Sequence, residues 1–130
     1  MSVALEQELI ALTQQLLESI TSGDWATYER LCDPTLTAFE PEARGQLVEG
    51  LLFHKFFFDR RERPSPAHTT LCAPHVRLLG ADTAIVSYVR LHQGLSSDGV
   101  ASTRRFEETR VWHRHNGQWR HVHFHRSSGS

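Results

Sequence analysis

The chain has 130 residues, of which 39% are hydrophobic and 22% charged, with a formal net charge of −1. This balance is typical of one globular domain with a full core, and the near-neutral charge argues against nucleic-acid binding through bulk electrostatics. No apolar run reaches the ~20 residues that span a membrane, so we predict no membrane partner. A secretion signal is missing at the N-terminus, and two cysteines are too few for a disulfide scaffold. We therefore expect a cytoplasmic protein.

The N-terminal third is predicted to be helical. A first amphipathic helix over 3–22 is indicated by apolar residues at helical spacing, namely Leu5, Leu9, Leu12, Leu16 and Ile20. Residues 22–24, Ser-Gly-Asp, supply a helix stop and a new N-cap. A second, short helix then carries Trp25, Tyr28 and Leu31 toward the core.

The rest of the chain is predicted to be mostly strands. An Asn-Gly pair at 116–117 is a strong hairpin signal between the last two of them. The pattern predicts a short strand over 35–40, a helix over 47–59, a charged loop over 60–66, and strands over 67–79, 82–93, 101–115 and 118–126. We expect a single domain over 1–126 and a disordered tail over 127–130.

Helices followed by a run of long antiparallel strands describe an α+β domain. A curved antiparallel sheet wrapped round the long N-terminal helix forms a cone with a pocket at its open end. The predicted fold is thus the nuclear-transport-factor-2-like (NTF2-like), or cystatin-like, cone.

Three arginines occupy positions where strands normally place core side chains. Successive residues of a strand point to opposite faces, so Arg90, Arg110 and Arg126 share faces with bulky apolar residues. A buried guanidinium costs several kcal/mol unless it is paired. Converging on one cavity, three guanidiniums would capture a carboxylate or similar anion, because their planar fork matches a carboxylate bidentately.

The same arginines have a purely structural alternative. They can pair with internal carboxylates such as Glu40, Glu49 or Glu108 and hold the sheet together. Both readings hold if a carboxylate from a ligand or a partner chain competes with an internal one.

Nine histidines raise the question of a metal site. His121, His123 and His125 are predicted to share one strand face, and His113 shares a face with His115. Imidazoles two residues apart on a strand can converge on zinc, but no cysteine or carboxylate completes a recognisable ligand spacing. We interpret these residues as a subunit interface or solvated face on the outer side of the sheet, and predict no metal and no cofactor.

Catalysis is a second alternative for the predicted pocket. Arginine cannot deprotonate in proteins and therefore stabilises anions without moving protons, although His54 with Tyr28 could do acid/base work. This alternative is a small-ligand-binding protein, or an isomerase- or cyclase-like enzyme, acting as a dimer.

The face opposite the arginines predicts self-association. It carries Ile85, Val89, Leu91 and Val111, which a monomer would leave partly in water, and large apolar patches usually mark an interface. The predicted helix over 47–59 is too short to cover this face.

Several strings of residues resemble one known family. The most specific are EETRVWHR at 107–114 and VHFHRS at 122–127. Further matching segments lie at 32–34, 37–43, 47–51, 53–54, 68–70 and 74–75. Together they resemble the hub, or association, domain of calcium/calmodulin-dependent protein kinase II, from the first helix to Ser127.

This resemblance implies a cone-shaped, non-catalytic domain that assembles into two stacked rings, typically of twelve or fourteen subunits. In the kinase, the hub holds catalytic domains together so that they phosphorylate one another. The resemblance also implies a pocket at Arg90, Arg110 and Arg126, with His54 near its mouth, where animal hubs accept small carboxylates such as gamma-hydroxybutyrate. We therefore predict a pocket formed by these four residues and Tyr28, able to bind a small carboxylate or an acidic peptide.

The chain departs from animal hubs in two respects. Its loop over 59–67 is shorter, arginine-rich and without their tryptophan, which affects any ligand response that depends on this loop. We expect no kinase domain and no calmodulin-binding segment ahead of Met1. We interpret the chain as a free-standing homologue rather than an excised hub.

Overall fold

The computed structural model describes residues 2–60 and 66–129. Within these ranges every helix is too short or too polar to traverse a lipid bilayer. The elements are α1 (Ser2–Ser22), α2 (Trp25–Leu31), β1 (Cys32–Phe39), a 3-10 turn (Pro41–Ala43), β2 (Val48–Glu49), α3 (Leu52–Asp59), β3 (Ala67–Leu79), β4 (Thr83–Leu95), β5 (Ala101–His115) and β6 (Gln118–Arg126).

All six strands form one curved sheet in the order β2-β1-β6-β5-β4-β3. Neighbouring strands are antiparallel except β1 and β6, which are parallel. The predicted α+β cone is confirmed, but the fully antiparallel sheet is wrong because this one pair makes the sheet mixed. Strands β3 to β6 are consecutive hairpins, so the direction of β6 is fixed by β5 and not by β1.

Helix α1 packs on the inner face of the sheet, against β3 and β4. Leu9, Leu16 and Leu17 are fully buried, as the helical spacing of apolar residues predicts. Thr13 joins helix and sheet: its hydroxyl donates to the Leu9 carbonyl oxygen at 2.8 Å and accepts from Nε1 of Trp112 at 3.1 Å. A polar residue is thus accommodated in the core because both of its hydrogen-bonding roles are satisfied.

The predicted second helix is confirmed as α2, but the helix predicted over 47–59 is wrong in its first part. Val48 and Glu49 pair with β1 as the edge strand β2, and α3 begins only at Leu52. Gly50 separates the two with a φ of 79° and donates its N–H to the Leu36 carbonyl oxygen at 2.7 Å. Such a left-handed backbone favours glycine and interrupts a helix.

The long strands match the predicted ranges closely, but β6 carries a bulge. Trp112 pairs with His121 while Val111 pairs with His123, so Val122 is an extra residue in the ladder. The bulge shifts the alternation by one residue, and both Trp119 and His121 are buried in the core. The prediction that His121 lies on the outer face with His123 is therefore wrong.

The inner face of the sheet mixes apolar and charged side chains. The arginines predicted on β4 and β5 are both buried there, and carboxylates accompany them. Buried residues alternate along these strands as Ala84, Val86, Tyr88 and Arg90, and as Phe106, Glu108, Arg110 and Trp112. The prediction of inward-facing arginines is confirmed for these two strands.

The last described residues lie beside β5. The backbone N–H of Ser127 donates to the Glu107 carbonyl oxygen at 2.9 Å. Gly129 lies so close to Arg104 and Phe106 that a Cβ at this position would come within 2.5 Å of an Arg104 nitrogen. Of the predicted tail, Ser130 lies outside the described residues.

Candidate functional site

A cavity of about 260 Å³ opens at one end of the curved sheet. All five residues predicted from the sequence line it: Tyr28, His54, Arg90, Arg110 and Arg126. The remaining lining residues are Ile20, Glu40, Glu42, Phe57, Phe58, His92, Arg104, Phe106 and Phe124. The structure thus brings together every predicted pocket residue and adds aromatic and acidic neighbours.

Glu108 is the centre of a buried network behind this cavity. Its carboxylate accepts hydrogen bonds from the Tyr88 hydroxyl at 2.5 Å, from Nη2 of Arg110 at 3.1 Å and from Nη1 of Arg90 at 3.4 Å. Burial alone raises the pKa of Glu108, but the charges of Arg110 and Arg90 outweigh it and hold the pKa below its ordinary value. The carboxylate is therefore ionised.

Arg110 is fully engaged by its neighbours and is only 1% exposed. Besides Glu108, its Nε donates to the Tyr88 hydroxyl at 2.8 Å, and its Nη1 lies 3.4 Å from Nε2 of His121. Its guanidinium carbon lies 4.4 Å from the ring centroid of Phe124, a cation–π distance. This arginine serves mainly to organise the sheet.

Arg90 shares the same carboxylate and is also buried. Its Nε and Nη2 lie 3.4 and 3.3 Å from the hydroxyl oxygen of Thr69. Burial lowers the pKa of Arg90, although Glu108 opposes this effect. Because two guanidiniums share one carboxylate, the network keeps one positive charge.

His121 supports this network from the adjacent strand. Its Nδ1 lies 3.6 Å from Sγ of Cys32. Burial, aided by the charge of Arg110, lowers the pKa of His121 well below its ordinary value, so the ring is neutral. Burial also raises the pKa of the Cys32 thiol to about 12, which makes it inert. Sequence alternation missed this role because of the bulge at Val122.

His54 is a buried residue that also lines the cavity. Its Nε2 lies 3.1 Å from both carboxylate oxygens of Glu40, and its Nδ1 is buried without a hydrogen-bond partner in the described part of the chain. The centroid of the His54 ring lies 5.9 Å from that of Tyr28 and 5.6 Å from that of Phe124. Burial raises the pKa of Tyr28, which is a neutral phenol here.

At the mouth of the cavity, the arginines are more exposed and have fewer partners. Arg126 forms an ion pair with Glu42, and both side chains are partly exposed. Arg104 is exposed, and within residues 2–60 and 66–129 its guanidinium has no hydrogen-bond or ion-pair partner but makes a cation–π contact with Phe106. The guanidinium carbons of Arg90, Arg104 and Arg126 lie 5.9, 5.2 and 5.0 Å from the Phe106 ring centroid.

Arg104 is the pocket arginine that the sequence interpretation missed. It precedes Arg110 by six residues on β5, so the two share a face. Extending the alternation upstream from Arg110 would have found Glu108, Phe106 and Arg104 in turn.

The cavity has an excess of positive charge. Four arginines line it, whereas two carboxylates line it and Glu108 lies directly behind. Counting only arginines and carboxylates, one positive charge is left without a carboxylate. In a partly water-excluded space, such a charge attracts an anion more strongly than on an open surface.

The outer histidines are spread over the opposite face. His113 and His115 are stacked with ring centroids 6.4 Å apart, and Nδ1 of His123 lies 2.7 Å from the Thr37 hydroxyl. Among residues 2–60 and 66–129, no three His, Cys, Asp or Glu side chains are arranged to hold a metal ion.

Comparison with known proteins identifies the family. The model of the calcium/calmodulin dependent protein kinase II association domain matches residues 5–130. The chain belongs to this family. The delta subunit of the rabbit kinase (Oryctolagus cuniculus) is 52% identical over 126 residues, which cover 95% of this chain and 24% of the subunit. The chain therefore spans about a quarter of the length of this relative.

Solved association domains share the fold in detail. That of the Caenorhabditis elegans kinase is 47% identical with a TM-score of 0.91, covering 96% of each chain. The hub homology domain of Chlamydomonas reinhardtii is 45% identical with a TM-score of 0.89, covering 95% of this chain and 97% of that one. An NTF2-like protein of Salmonella enterica, 19% identical with a TM-score of 0.77 over 98% and 93% of the two chains, shows the fold alone.

Family membership confirms three predictions made from the sequence. The resemblance to the association domain is correct, the fold is the NTF2-like cone, and the domain is a non-catalytic scaffold with an oligomerisation role.

Proposed function

We propose that this association domain assembles copies of itself into a closed, two-tiered ring in the cytoplasm, and that its pocket binds a small carboxylate or an acidic peptide. The observation that carries the pocket proposal is the Phe106 ring with three guanidiniums around it, facing a cavity of about 260 Å³. Proteins fused to or recruited by the ring would reach an effective concentration in roughly the millimolar range.

The outer face of the sheet supports assembly. Ile85, Val89, Leu91 and Val111 are only half-buried in the single chain. Additional apolar exposure lies on α3, at Leu52, Phe56 and Phe57. Apolar surface of this extent is typical of interfaces, and a head-to-tail contact closes into a ring when its rotation is a fixed fraction of a turn.

The mass in solution tests the ring. One chain has a mass of 14.9 kDa, and we expect native mass spectrometry to show assemblies of twelve or more chains. A particle of only two chains at micromolar concentration would contradict the ring and favour a ligand-binding cone that acts as a dimer.

Carboxylate binding is supported by the contrast among the arginines. Arg104 has no carboxylate partner among the described residues, and Arg126 has one that is partly exposed. A carboxylate placed between them would gain charge-assisted hydrogen bonds. The aromatic rings of Phe57, Phe58 and Phe106 would cover its apolar part.

Calorimetric titration with butyrate, and with butyramide as its neutral analogue, tests this binding. We expect the assembled protein to prefer butyrate, and Arg104→Ala to weaken butyrate binding about tenfold through the loss of a charge-assisted contact. Arg105→Ala is the matched control, since Arg105 is the next residue of β5, on the opposite face, paired with Glu107. Equal affinity for butyrate and butyramide, or for Arg104→Ala and the wild type, would contradict the proposal.

A further inference from the structure

We infer that Glu42 is a built-in occupant of the pocket, and that an incoming carboxylate displaces it from Arg126 and thereby releases the Pro41–Ala43 turn. The inference rests on the proposed carboxylate binding in the same cavity. Glu42 is then the internal competitor of the ligand, and the Pro41–Ala43 turn is the segment that responds to ligand binding.

Glu42 presents to the pocket the chemical group that the pocket is proposed to bind. Its carboxylate pairs with the Arg126 guanidinium, and both residues line the cavity. Although partial burial raises the pKa of Glu42, the hydrogen bond and charge of Arg126 lower it overall, so the carboxylate is ionised. An external carboxylate would replace it on the same donors.

The exposure of the pair makes exchange feasible. The Glu42 side chain is 42% exposed and that of Arg126 is 14% exposed. Ion pairs open to solvent are weak because water screens the attraction and both side chains lose conformational freedom. Glu108, by contrast, has a fully buried side chain with three donors and could not leave without stranding two arginines.

The turn that carries Glu42 is held chiefly by local contacts. Its backbone hydrogen bonds run from Ala43 to Glu40 at 3.1 Å, from Arg44 to Pro41 at 3.1 Å and from Gln46 to Ala43 at 3.2 Å. Arg44 has a left-handed φ of 55°, which is unfavourable for a residue with a side chain.

Across residues 41–46, the Glu42–Arg126 pair is the single side-chain hydrogen bond that the described chain makes to another element. Ala43 also packs against the core, so its contact keeps the turn in place when the pair opens. We therefore expect displacement of Glu42 to loosen the turn rather than to unfold it.

Removing the competitor should strengthen ligand binding. We expect Glu42→Gln to bind butyrate about two- to fivefold more tightly than the wild type, the range expected for losing an exposed ion pair. Glu107→Gln is the matched control, because it removes the same charge from an exposed Arg–Glu pair on the opposite face of the sheet. The inference predicts an unchanged butyrate affinity for this control.

Hydrogen exchange of the assembled wild type supplies a second, independent measurement. Ordinary ligand contact protects amides, whereas displacement predicts faster exchange at residues 41–46 when butyrate is added and no change with butyramide. In Glu42→Gln the turn should exchange faster even without ligand, and butyrate should add nothing further.

The outcomes separate the inference from the proposed function. If Glu42→Gln binds butyrate no more tightly than the wild type, or if butyrate slows exchange at 41–46, Glu42 and the ligand bind side by side and the inference is wrong, while carboxylate binding stands. If neither protein prefers butyrate to butyramide, the proposed pocket function fails and the inference falls with it.

Discussion

The two ends of the arginine-lined cavity use the same residue type in opposite ways. At the inner end, Arg90 and Arg110 are buried around Glu108 and have partners on most of their nitrogen atoms. At the mouth, Arg104 and Arg126 are at least partly exposed and have few partners. By this contrast, an inward-facing arginine has donors to offer only when the carboxylates around it leave some of them unused.

The inner end should be costly to break. We expect Glu108→Ala to lower the free energy of unfolding by about 3–5 kcal/mol, because it leaves Arg90 and Arg110 buried without their carboxylate. Chemical denaturation at a fixed protein concentration measures this, since assembly contributes to apparent stability. A loss below about 1 kcal/mol would mean that water reaches the network and that the two ends do not differ.

A second prediction sharpens the comparison through pH. The pKa of His121 is lowered in the folded state, so below its ordinary value of 6.5 the unfolded chain binds a proton that the folded chain does not. Stability should therefore fall with decreasing pH below about 6.5, by up to about 1.4 kcal/mol per pH unit from this residue.

Replacing the histidine tests this dependence. We expect the variant His121→Gln to lose that share of the slope between pH 6.5 and 5, whatever its stability at pH 7. His113→Gln, which replaces an exposed histidine of the outer face, is measured beside it as the control. Parallel slopes for the wild type and His121→Gln would show that His121 takes up its proton while folded.

The smallest effect is expected at the mouth. We expect Arg104→Ala to change the free energy of unfolding by less than about 0.5 kcal/mol, as for most exposed side chains, although we propose that it weakens butyrate binding. Denaturation of the butyrate-free protein checks this, with Arg105→Ala beside it. A loss as large as that of Glu108→Ala would mean that the mouth, too, is structural.

Much of this architecture could be predicted from the sequence, because the signals are local. Helical spacing predicted α1, and the Asn-Gly pair predicted the hairpin between β5 and β6. Residues 47–49 were misassigned because apolar density alone does not separate a short strand from a helix. The edge strand forms because Val48 and Glu49 pair with β1. This contact joins residues that are far apart in the chain, and helical spacing does not reveal it.

The pocket was predicted only in part, because alternation along a strand is a local signal whereas the packing between strands is not. Alternation along strands placed Arg90 and Arg110 correctly, and it contained Arg104 as well, had it been followed further upstream. The alternation rule failed at His121, because the extra residue of the bulge in β6 cannot be recognised from the residue types alone. Which carboxylate meets which arginine depends on the packing of three strands and the Pro41–Ala43 turn, which no local pattern specifies.

The bulge at Val122 couples the length of β6 to the direction in which its side chains point. Residues on its two sides, Trp119 with His121 and Phe124 with Arg126, point into the cone only because Val122 stands outside the alternation. Deleting Val122 would make the spacing between His121 and Phe124 even, so that both pairs would face inward in a regular strand without a bulge. Among homologues of this chain, loss of the bulge should therefore accompany a change of one residue in the spacing between the positions of His121 and Phe124.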